Sequence, residues 1–271
     1  MTVEPDLSGA IVLIVHAHPD DEVFATGAAT IAAKEAGATV HLRLFTGGEG
    51  RASGTNVPAL AAARRSKEAR LAASTRLLGI DDWAYLTEPG RWTDSPHTPE
   101  RTIATASLED LAAPVAQAIE SLCPDVLLTV GPDGLTGHPD HIACHDAVRH
   151  ALGQSVHTPR LALGAVLDRR AVQTGYETAA TTLGQAVGTG NVTGVHLDPA
   201  TITITGPAGT ESRRRRALDE YVPGLGTADP SSLDVKRIGS GDSALLRFVL
   251  DISGWDRDHY MGVIYASGQT G

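Results

Sequence analysis

The chain of 271 residues has little of what defines several common classes of protein. Its two cysteines, Cys123 and Cys144, are too few for a disulfide framework, and neither lies in a CxxC spacing. Aromatic residues make up only 4% of the chain, so aliphatic side chains must fill the interior. Lysine is scarce, with three lysines among 22 basic residues, a bias typical of GC-rich bacteria. These features favour a bacterial protein of a reducing compartment.

Positive charge and long apolar runs are scarce as well. The 22 basic and 32 acidic residues give a formal net charge of -10, which argues against nucleic acid or an anionic membrane as a partner. The apolar stretch at residues 10–15 is too short for a membrane span or for the core of a secretory signal. We therefore expect a cytoplasmic protein without a membrane span. The sequence leaves open whether it forms a homo-oligomer.

Three motifs of common enzymes are missing. No GxGxxG follows the first predicted strand, there is no Walker A motif, and no GxSxG marks a serine nucleophile. The sequence therefore argues against a dinucleotide-binding enzyme, a P-loop NTPase and an α/β-hydrolase. With 42% hydrophobic and 20% charged residues, the composition is that of a globular protein.

Short apolar runs alternate with stretches of helical spacing over about the first 150 residues. The run at residues 10–15, AIVLIV, is typical of a strand buried on both faces of a parallel sheet. Ser107, with Asp110 three residues later, resembles a capping box. The predicted strands are 10–15, 39–45, 83–86 and 125–130, and the predicted helices are 22–36, 58–78 and 108–122. This order predicts an α/β fold with a Rossmann-like, doubly wound and mostly parallel sheet.

The strand and helix pattern weakens after residue 158. We predict strands at 161–167, 201–205 and 244–250, the last of them at an edge of the sheet. We expect residues 1–160 to form the catalytic α/β core. Residues 161–271 are expected to form a smaller α+β part that completes the sheet and the substrate pocket.

Two clusters that contain the triplet His-Pro-Asp follow predicted strands. The first is HAHPDDE at residues 16–22, and the second is GHPDH at residues 137–141. Ligands of a doubly wound sheet bind beyond the carboxyl ends of its strands, so both clusters lie where an active site is expected. Histidine is the commonest protein ligand of metals and exchanges protons near neutral pH.

Together the clusters supply enough ligands for a metal site. A catalytic zinc site needs about three nitrogen or oxygen ligands and one open position. His18 and Asp21, three residues apart across a strand-to-helix turn, can face one metal. A histidine of the second cluster can complete the set, and spacing alone leaves His138, His141 and His145 open.

Asp20 would lie beside the reacting water, where a carboxylate can act as the general base. The acidic residues 20–22 also begin a predicted helix, where such residues cap free amides and oppose the helix dipole. A single histidine after a strand is usually structural. Capping does not explain two His-Pro-Asp clusters at equivalent strand ends, so we favour a functional metal site.

Four motifs resemble those of one enzyme family. They are AHPDDE at residues 17–22, TGGEG at 46–50, GRWTDS at 90–95 and GHPDH at 137–141. In these motifs the chain resembles the LmbE-like zinc-dependent N-deacetylases, which include the GlcNAc-phosphatidylinositol de-N-acetylases and the mycothiol-pathway deacetylase and amidase. GRWTDS makes it most similar to the mycothiol-pathway deacetylase branch.

The resemblance implies roles for the residues of both clusters. His18, Asp21 and His141 would be the zinc ligands, and Asp20 the general base. His138 would stabilise the oxyanion of the tetrahedral intermediate or protonate the departing amine. Asp140 would orient one of these histidines, and His16 would be a further neighbour of the site.

The resemblance also implies residues that contact the substrate. Asp94 matches the aspartate of GRWTDS that contacts the sugar in the mycothiol-pathway deacetylase. A basic residue near the start of the long helix would also hold substrate, and the match falls among Arg64, Arg65 and Lys67, of which we select Arg65. Thr136 departs from that branch, which has a tyrosine there to assist the oxyanion.

Four consecutive arginines, at residues 213–216, form the one basic run. They lie in a predicted helix, and we expect them on its exposed face, paired with Glu211, Asp219 and Glu220. This helix resembles a late family helix that usually continues into Ser-Gln, whereas Val-Pro-Gly follows here at residues 222–224. We expect the substrate pocket to be remodelled from this side.

The resemblance implies hydrolysis of an N-acetyl or other N-acyl group from an amino sugar, such as a small N-acetylglucosaminyl glycoside or glycoconjugate. Zinc is the expected cofactor, although such ligands also accept Fe²⁺, Mn²⁺ or Co²⁺. The alternatives are an amidase acting on a thiol conjugate, a tailoring deacetylase of a secondary metabolite, and a sugar- or metal-binding protein on the same scaffold. The intact Asp20 argues against the last of these.

Overall fold

The computed structural model describes residues 5–50, 57–94 and 98–263. Its strands are β1 Ile11–His16, β2 Thr39–Leu44, β3 Asp82–Tyr85, β4 Val126–Val130, β5 Leu161–Val166, β6 Ile202–Thr205 and β7 Arg257–Gly262. They form one sheet in the order β3-β2-β1-β4-β5-β7-β6. Neighbours from β3 to β5 pair in parallel, whereas β7 is antiparallel to both β5 and β6. The predicted mostly parallel α/β sheet is confirmed.

Helices cover both faces of this sheet. They are α1 Asp21–Phe24, α2 Gly27–Glu35, α3 Val57–Leu78, α4 Leu108–Leu122, α5 Gly134–Gly137, α6 Pro139–Gln154, α7 Arg169–Leu183, α8 Thr210–Tyr221, α9 Val235–Ile238 and α10 Gly241–Ser253. Val12 and Ile14 of β1 pack on the face that α2, α7 and α10 cover, while Leu13 and Val15 pack on the face of α4 and α6. The continuous apolar run of β1 follows from burial on both faces. No helix of the described residues is both long and apolar enough to cross a membrane.

The helix predicted over residues 22–36 is interrupted. It divides into α1 and α2, with a break at Ala25 and Thr26. The carbonyls of Val23 and Phe24 accept hydrogen bonds from the Arg214 guanidinium, at 2.7 and 2.8 Å. The helix breaks because a distant side chain satisfies the acceptors that its next turn would have used.

The predicted edge strand at residues 244–250 is wrong. These residues belong to α10, which packs against α7 and buries Leu245, Phe248 and Val249 in the core. A short apolar run fits either a strand or a buried helix, and sequence periodicity does not separate them. The antiparallel strand is instead β7, whose sequence RDHYMG alternates weakly and buries only Asp258 and Tyr260. With β5 and β6 it extends the same sheet, and the division at residue 160 stays a prediction.

The expected exposure of the arginine run is wrong for Arg214. Its side chain is fully buried and forms a 2.8 Å ion pair with Asp258. The expected pairing within the helix does hold between Arg215 and Glu211, at 2.8 Å. Asp219 instead accepts hydrogen bonds from the N–H groups of Gly226 and Thr227.

Candidate metal centre and active site

The first His-Pro-Asp cluster forms a tight turn between β1 and α1. Asp20 has a φ of 96°, in the left-handed region that costs a non-glycine residue about 1–3 kcal/mol. Its N–H donates to Oε2 of Glu22 at 2.9 Å, and the N–H of His18 donates to Oδ2 of Asp21 at 2.9 Å. These two hydrogen bonds hold the strained turn. Strain of this kind is typical of functional sites.

The second cluster caps α6. The Nδ1 atom of His138 accepts the N–H of Asp140 at 3.2 Å, and Pro139 occupies the first turn, where its missing N–H costs little. One turn later, Nδ1 of His141 lies 3.0 Å from the carbonyl oxygen of Gly134. A carbonyl only accepts, so this contact assigns the proton to Nδ1 and leaves Nε2 of His141 free to bind a metal.

The two clusters bring three candidate ligand groups together, namely the rings of His18 and His141 and the carboxylate of Asp21. Nε2 of His141 lies 3.1 Å from Nδ1 of His18 and 3.1 Å from Oδ1 of Asp21. Nδ1 of His18 is 3.8 Å from Oδ2 of Asp21, and all three residues are buried. Ligands held about 2.0–2.1 Å from a tetrahedral zinc lie about 3.4 Å apart, so this triangle fits a divalent metal.

His138 lies at the exposed rim of the same site. Its ring centre is 5.1 Å from that of His18 and 5.0 Å from that of His141. A nitrogen of His138 also lies within 4.8 Å of ligand nitrogens of those two histidines, so the three rings form a second candidate metal set. Within the described residues His18 and His141 belong to both sets. Asp21 completes the first set and His138 the second, so a metal can bind either residue or both. His145 instead contacts the Val130 carbonyl.

Asp140 and His16 lie behind these rings. Oδ2 of Asp140 is 3.2 Å from Nε2 of His18, and its Oδ1 accepts the N–H of Ala104 at 3.0 Å. This contact orients the His18 ring with Nδ1 toward the site. His16 turns the other way, with Nε2 3.0 Å from the Thr26 hydroxyl, and burial lowers the pKa of His16 to about 4.

Two sets of contacts that the sequence did not reveal hold the backbone and the carboxylate of Asp20. Its Oδ2 lies 3.1 Å from Nζ of Lys67 on α3. The buried Glu22, which holds the Asp20 N–H, accepts hydrogen bonds at 2.7 Å from the hydroxyls of Ser74 and Tyr221. Burial raises the pKa of Glu22 to about 7. Of these residues, only Lys67 was a candidate in the sequence analysis, as one of three possible substrate contacts. No local sequence pattern links Ser74 or Tyr221 to the AHPDDE turn.

Three cavities meet at Asp20 and Ser243. The inner cavity, about 140 Å³, lies against His18, Asp21 and His141, and Phe24, Leu135 and Leu246 form its apolar wall. The outer cavity, about 270 Å³, is lined by residues that include Asp94, Lys67 and His138. The side cavity, about 250 Å³, lies between α3 and α8. Ser240 and Ser243, which the sequence interpretation missed, reach the site because α10 is a helix.

The predicted substrate residues differ in where they lie. Asp94 lines the outer cavity. Its Oδ1 is buried and has no hydrogen-bond partner among the residues that the structure describes, and burial raises the pKa of Asp94. Arg65 is exposed on α3, and Arg64 faces Glu49 at 3.6 Å. Of the three basic residues that the resemblance left open, Lys67 is the one that lines the outer cavity beside Asp20. Thr136, in place of the tyrosine, lines the inner cavity.

Comparison with curated proteins identifies relatives that are about one third identical to this chain. A 1D-myo-inositol 2-acetamido-2-deoxy-alpha-D-glucopyranoside deacetylase of Kineococcus radiotolerans is 35% identical over 161 residues, which cover 52% of this chain and 44% of that protein. A protein with the same name from Corynebacterium glutamicum is 33% identical over 202 residues, which cover 70% of this chain and 67% of that protein. The chain therefore spans less than half the length of the first relative.

A solved structure and a family model also match this chain. The crystal structure of the A40926 pseudoaglycone deacetylase superposes with a TM-score of 0.57 at 17% identity and covers 96% of this chain and 99% of that one. At this identity the likeness shows the fold alone. The family model described as PIG-L, GlcNAc-PI de-N-acetylase, matches residues 13–152, a range that contains the triangle of His18, Asp21 and His141 as well as Asp20. The chain belongs to the GlcNAc-PI de-N-acetylase (PIG-L) family.

Proposed function

We propose that this protein is a zinc-dependent hydrolase that removes an N-acetyl or other N-acyl group from an amino sugar. The observation that carries the proposal is the buried triangle of His18, Asp21 and His141 beside the carboxylate of Asp20. Two imidazole nitrogens and one carboxylate form a donor set that suits zinc and also Fe²⁺, Mn²⁺ or Co²⁺. Bound there, the metal would polarise the amide carbonyl and lower the pKa of water.

Asp20 is the proposed general base. Its carboxylate lies at the junction of the three cavities, where the amide and the attacking water must meet. The αL turn holds the carboxyl group in position, and the ammonium of Lys67 lies 3.1 Å from its Oδ2. A carboxylate held in this way can take a proton from water as it attacks the carbonyl carbon.

His138 is the proposed donor to the oxyanion and to the departing amine. Its Nδ1 accepts the Asp140 N–H, so in the neutral ring the proton is on Nε2. That N–H can donate to the oxygen that becomes negative in the tetrahedral intermediate. Asp140 positions His18 as well as His138, which supports its predicted orienting role. His16 stays a neighbour that contacts Thr26 and is not proposed as a ligand.

The outer cavity is the proposed site of the sugar. Asp94 has a carboxyl oxygen there that no described residue binds, and sugar hydroxyls are donors for such an oxygen. We propose Lys67, in place of the exposed Arg65, as the basic residue of α3 that contacts substrate. The relatives are bacterial, and the cytoplasmic location stays a prediction from the sequence.

The test is release of free amine from an N-acetylglucosaminyl glycoside, measured with the metal-loaded protein and with a chelator present. We expect turnover that the chelator abolishes and zinc restores. Asp20→Asn should lose activity by about 10²–10⁴-fold while it retains the metal. Asp146→Asn, an aspartate on α6 away from the triangle, is the matched control. No turnover by fully loaded protein on a panel of N-acyl amino sugars would contradict the proposal.

A further inference from the structure

We propose that Tyr221 is a positioning residue of the reaction, which holds Asp20 in the orientation that a general base needs. This inference rests on the proposed function, since it concerns the base of that reaction. Tyr221 is the last residue of α8, and its side chain is fully buried. It contacts two residues that bind Asp20, one through its hydroxyl and the other through its ring.

The hydroxyl of Tyr221 acts on the backbone of Asp20 through Glu22. It donates to Oε1 of Glu22 at 2.7 Å, and Oε2 of the same carboxyl group accepts the Asp20 N–H at 2.9 Å. Burial and the neighbouring Glu22 raise the pKa of Tyr221, so the hydroxyl keeps the proton that it donates. A non-glycine residue at a φ of 96° is strained and persists only where its surroundings hold it. The hydroxyl therefore helps to fix the direction in which the Asp20 side chain leaves the backbone.

The ring of Tyr221 acts on the carboxylate of Asp20 through Lys67. The Nζ atom of Lys67 lies 5.2 Å from the ring centre, within the range of a cation–π contact. The same atom is 3.1 Å from Oδ2 of Asp20. A lysine ammonium is carried on a flexible stem, and contact with the ring limits the positions that it can adopt. Tyr221 thus contributes to holding Asp20 both at its backbone and at a carboxylate oxygen.

One face of α3 fixes Tyr221 in turn. Lys67, Arg70 and Ser74 are spaced by three and four residues, so they lie on the same side of the helix. Nη1 of Arg70 donates to the carbonyl oxygen of Tyr221 at 2.8 Å. The hydroxyl of Ser74 donates at 2.7 Å to the same Oε1 of Glu22 that Tyr221 binds. The packing of α8 on α3 therefore sets the position of the proposed base.

Tyr221→Phe tests the inference because it removes the hydroxyl and keeps the ring. With an N-acetylglucosaminyl glycoside as substrate, we expect kcat to fall about tenfold or more, since a small displacement of a reacting group is enough for such a loss. KM should stay within about twofold of the wild type, because the hydroxyl binds Glu22 and not the substrate. The bound zinc, measured by atomic emission, should be unchanged.

Two further variants separate the ring and the fold from the hydroxyl. Tyr221→Leu also removes the ring and should lower kcat below that of Tyr221→Phe; equal values would overturn the part assigned to the ring. Tyr260→Phe is the matched control, since Tyr260 is buried as well and its hydroxyl lies 3.4 Å from the Ala25 carbonyl oxygen. It should keep the kcat of the wild type.

The kinetic outcomes decide whether Tyr221 positions the base. An unchanged kcat in Tyr221→Phe would overturn the inference. So would a rise in KM with kcat unchanged, because Tyr221 would then be a substrate contact. An equal loss of kcat in Tyr260→Phe would reveal a general effect on the fold and would overturn it too.

A structural measurement separates this inference from the proposed function. Turnover by the wild type reports the deacetylase activity, whereas crystal structures of the wild type and Tyr221→Phe need no turnover. We expect the Asp20 carboxylate to be displaced in the variant by more than about 0.5 Å, the tolerance of a group that must meet its substrate. An Asp20 with the same φ and the same carboxylate position in both proteins would overturn the positioning role, whether or not the protein is active.

Discussion

The buried guanidinium of Arg214 is expected to be one of the largest single contributions to the stability of this fold. It joins α8 to the end of α1 through the carbonyls of Val23 and Phe24, and to β7 through Asp258. It also donates to the Trp255 carbonyl at 3.1 Å. The substitution Arg214→Met keeps an unbranched, though shorter, side chain and removes every donor.

The magnitude follows from what the substitution leaves buried. The carboxylate of Asp258 would keep the N–H of Ala29 as a donor at 2.9 Å and lose its counter-charge. Breaking a buried ion pair at one partner costs about 3–5 kcal/mol, because an uncompensated charge remains. A domain of this kind has about 5–15 kcal/mol of unfolding free energy, so the loss is a large fraction of the total.

Urea titration followed by circular dichroism measures this change. We expect Arg214→Met to lower the free energy of unfolding by about 3–5 kcal/mol. Arg216→Met, an exposed arginine of the same helix, should stay within about 0.5 kcal/mol of the wild type. Adding Asp258→Leu to Arg214→Met removes the stranded carboxylate and should recover part of the loss. A loss below about 1 kcal/mol for Arg214→Met, or no recovery in the double variant, would refute the reasoning.

Three further predictions concern the metal site, a close backbone contact and a helix cap. His141→Ala should lower the bound zinc measured by atomic emission, whereas His150→Ala, farther along α6, should not; equal metal content in both would contradict the ligand assignment. Gly226→Ala should lower the melting temperature, because its Cβ would lie 1.9 Å from the Arg215 carbonyl oxygen. An unchanged melting temperature would mean that this turn moves freely. Ser107→Ala removes the acceptor for an N–H at 3.2 Å and should cost about 1 kcal/mol in urea titration; a cost near zero would show that the cap contributes nothing.

Local sequence signals account for the part of the fold that they describe. The strands β1 and β4 were predictable because short, continuous apolar runs are typical of strands buried on both faces of a sheet. The start of α4 was predictable because Ser107 caps it. The two His-Pro-Asp clusters were predictable as one site, since parallel strands bring their carboxyl ends to the same edge. α10 was mistaken for a strand because a short apolar run fits both structures.

The sequence by itself determined the parallel α/β core, the two histidine clusters and the charge of the chain, because each depends on residues close together in the chain. Only the tertiary structure decided that Arg214 is buried and that Lys67 contacts Asp20. The physical reason is distance along the chain: Arg214 satisfies carbonyls about 190 residues away, and the cavity of Lys67 and Arg70 exists only once α3 packs against α8. Which charges meet depends on that packing.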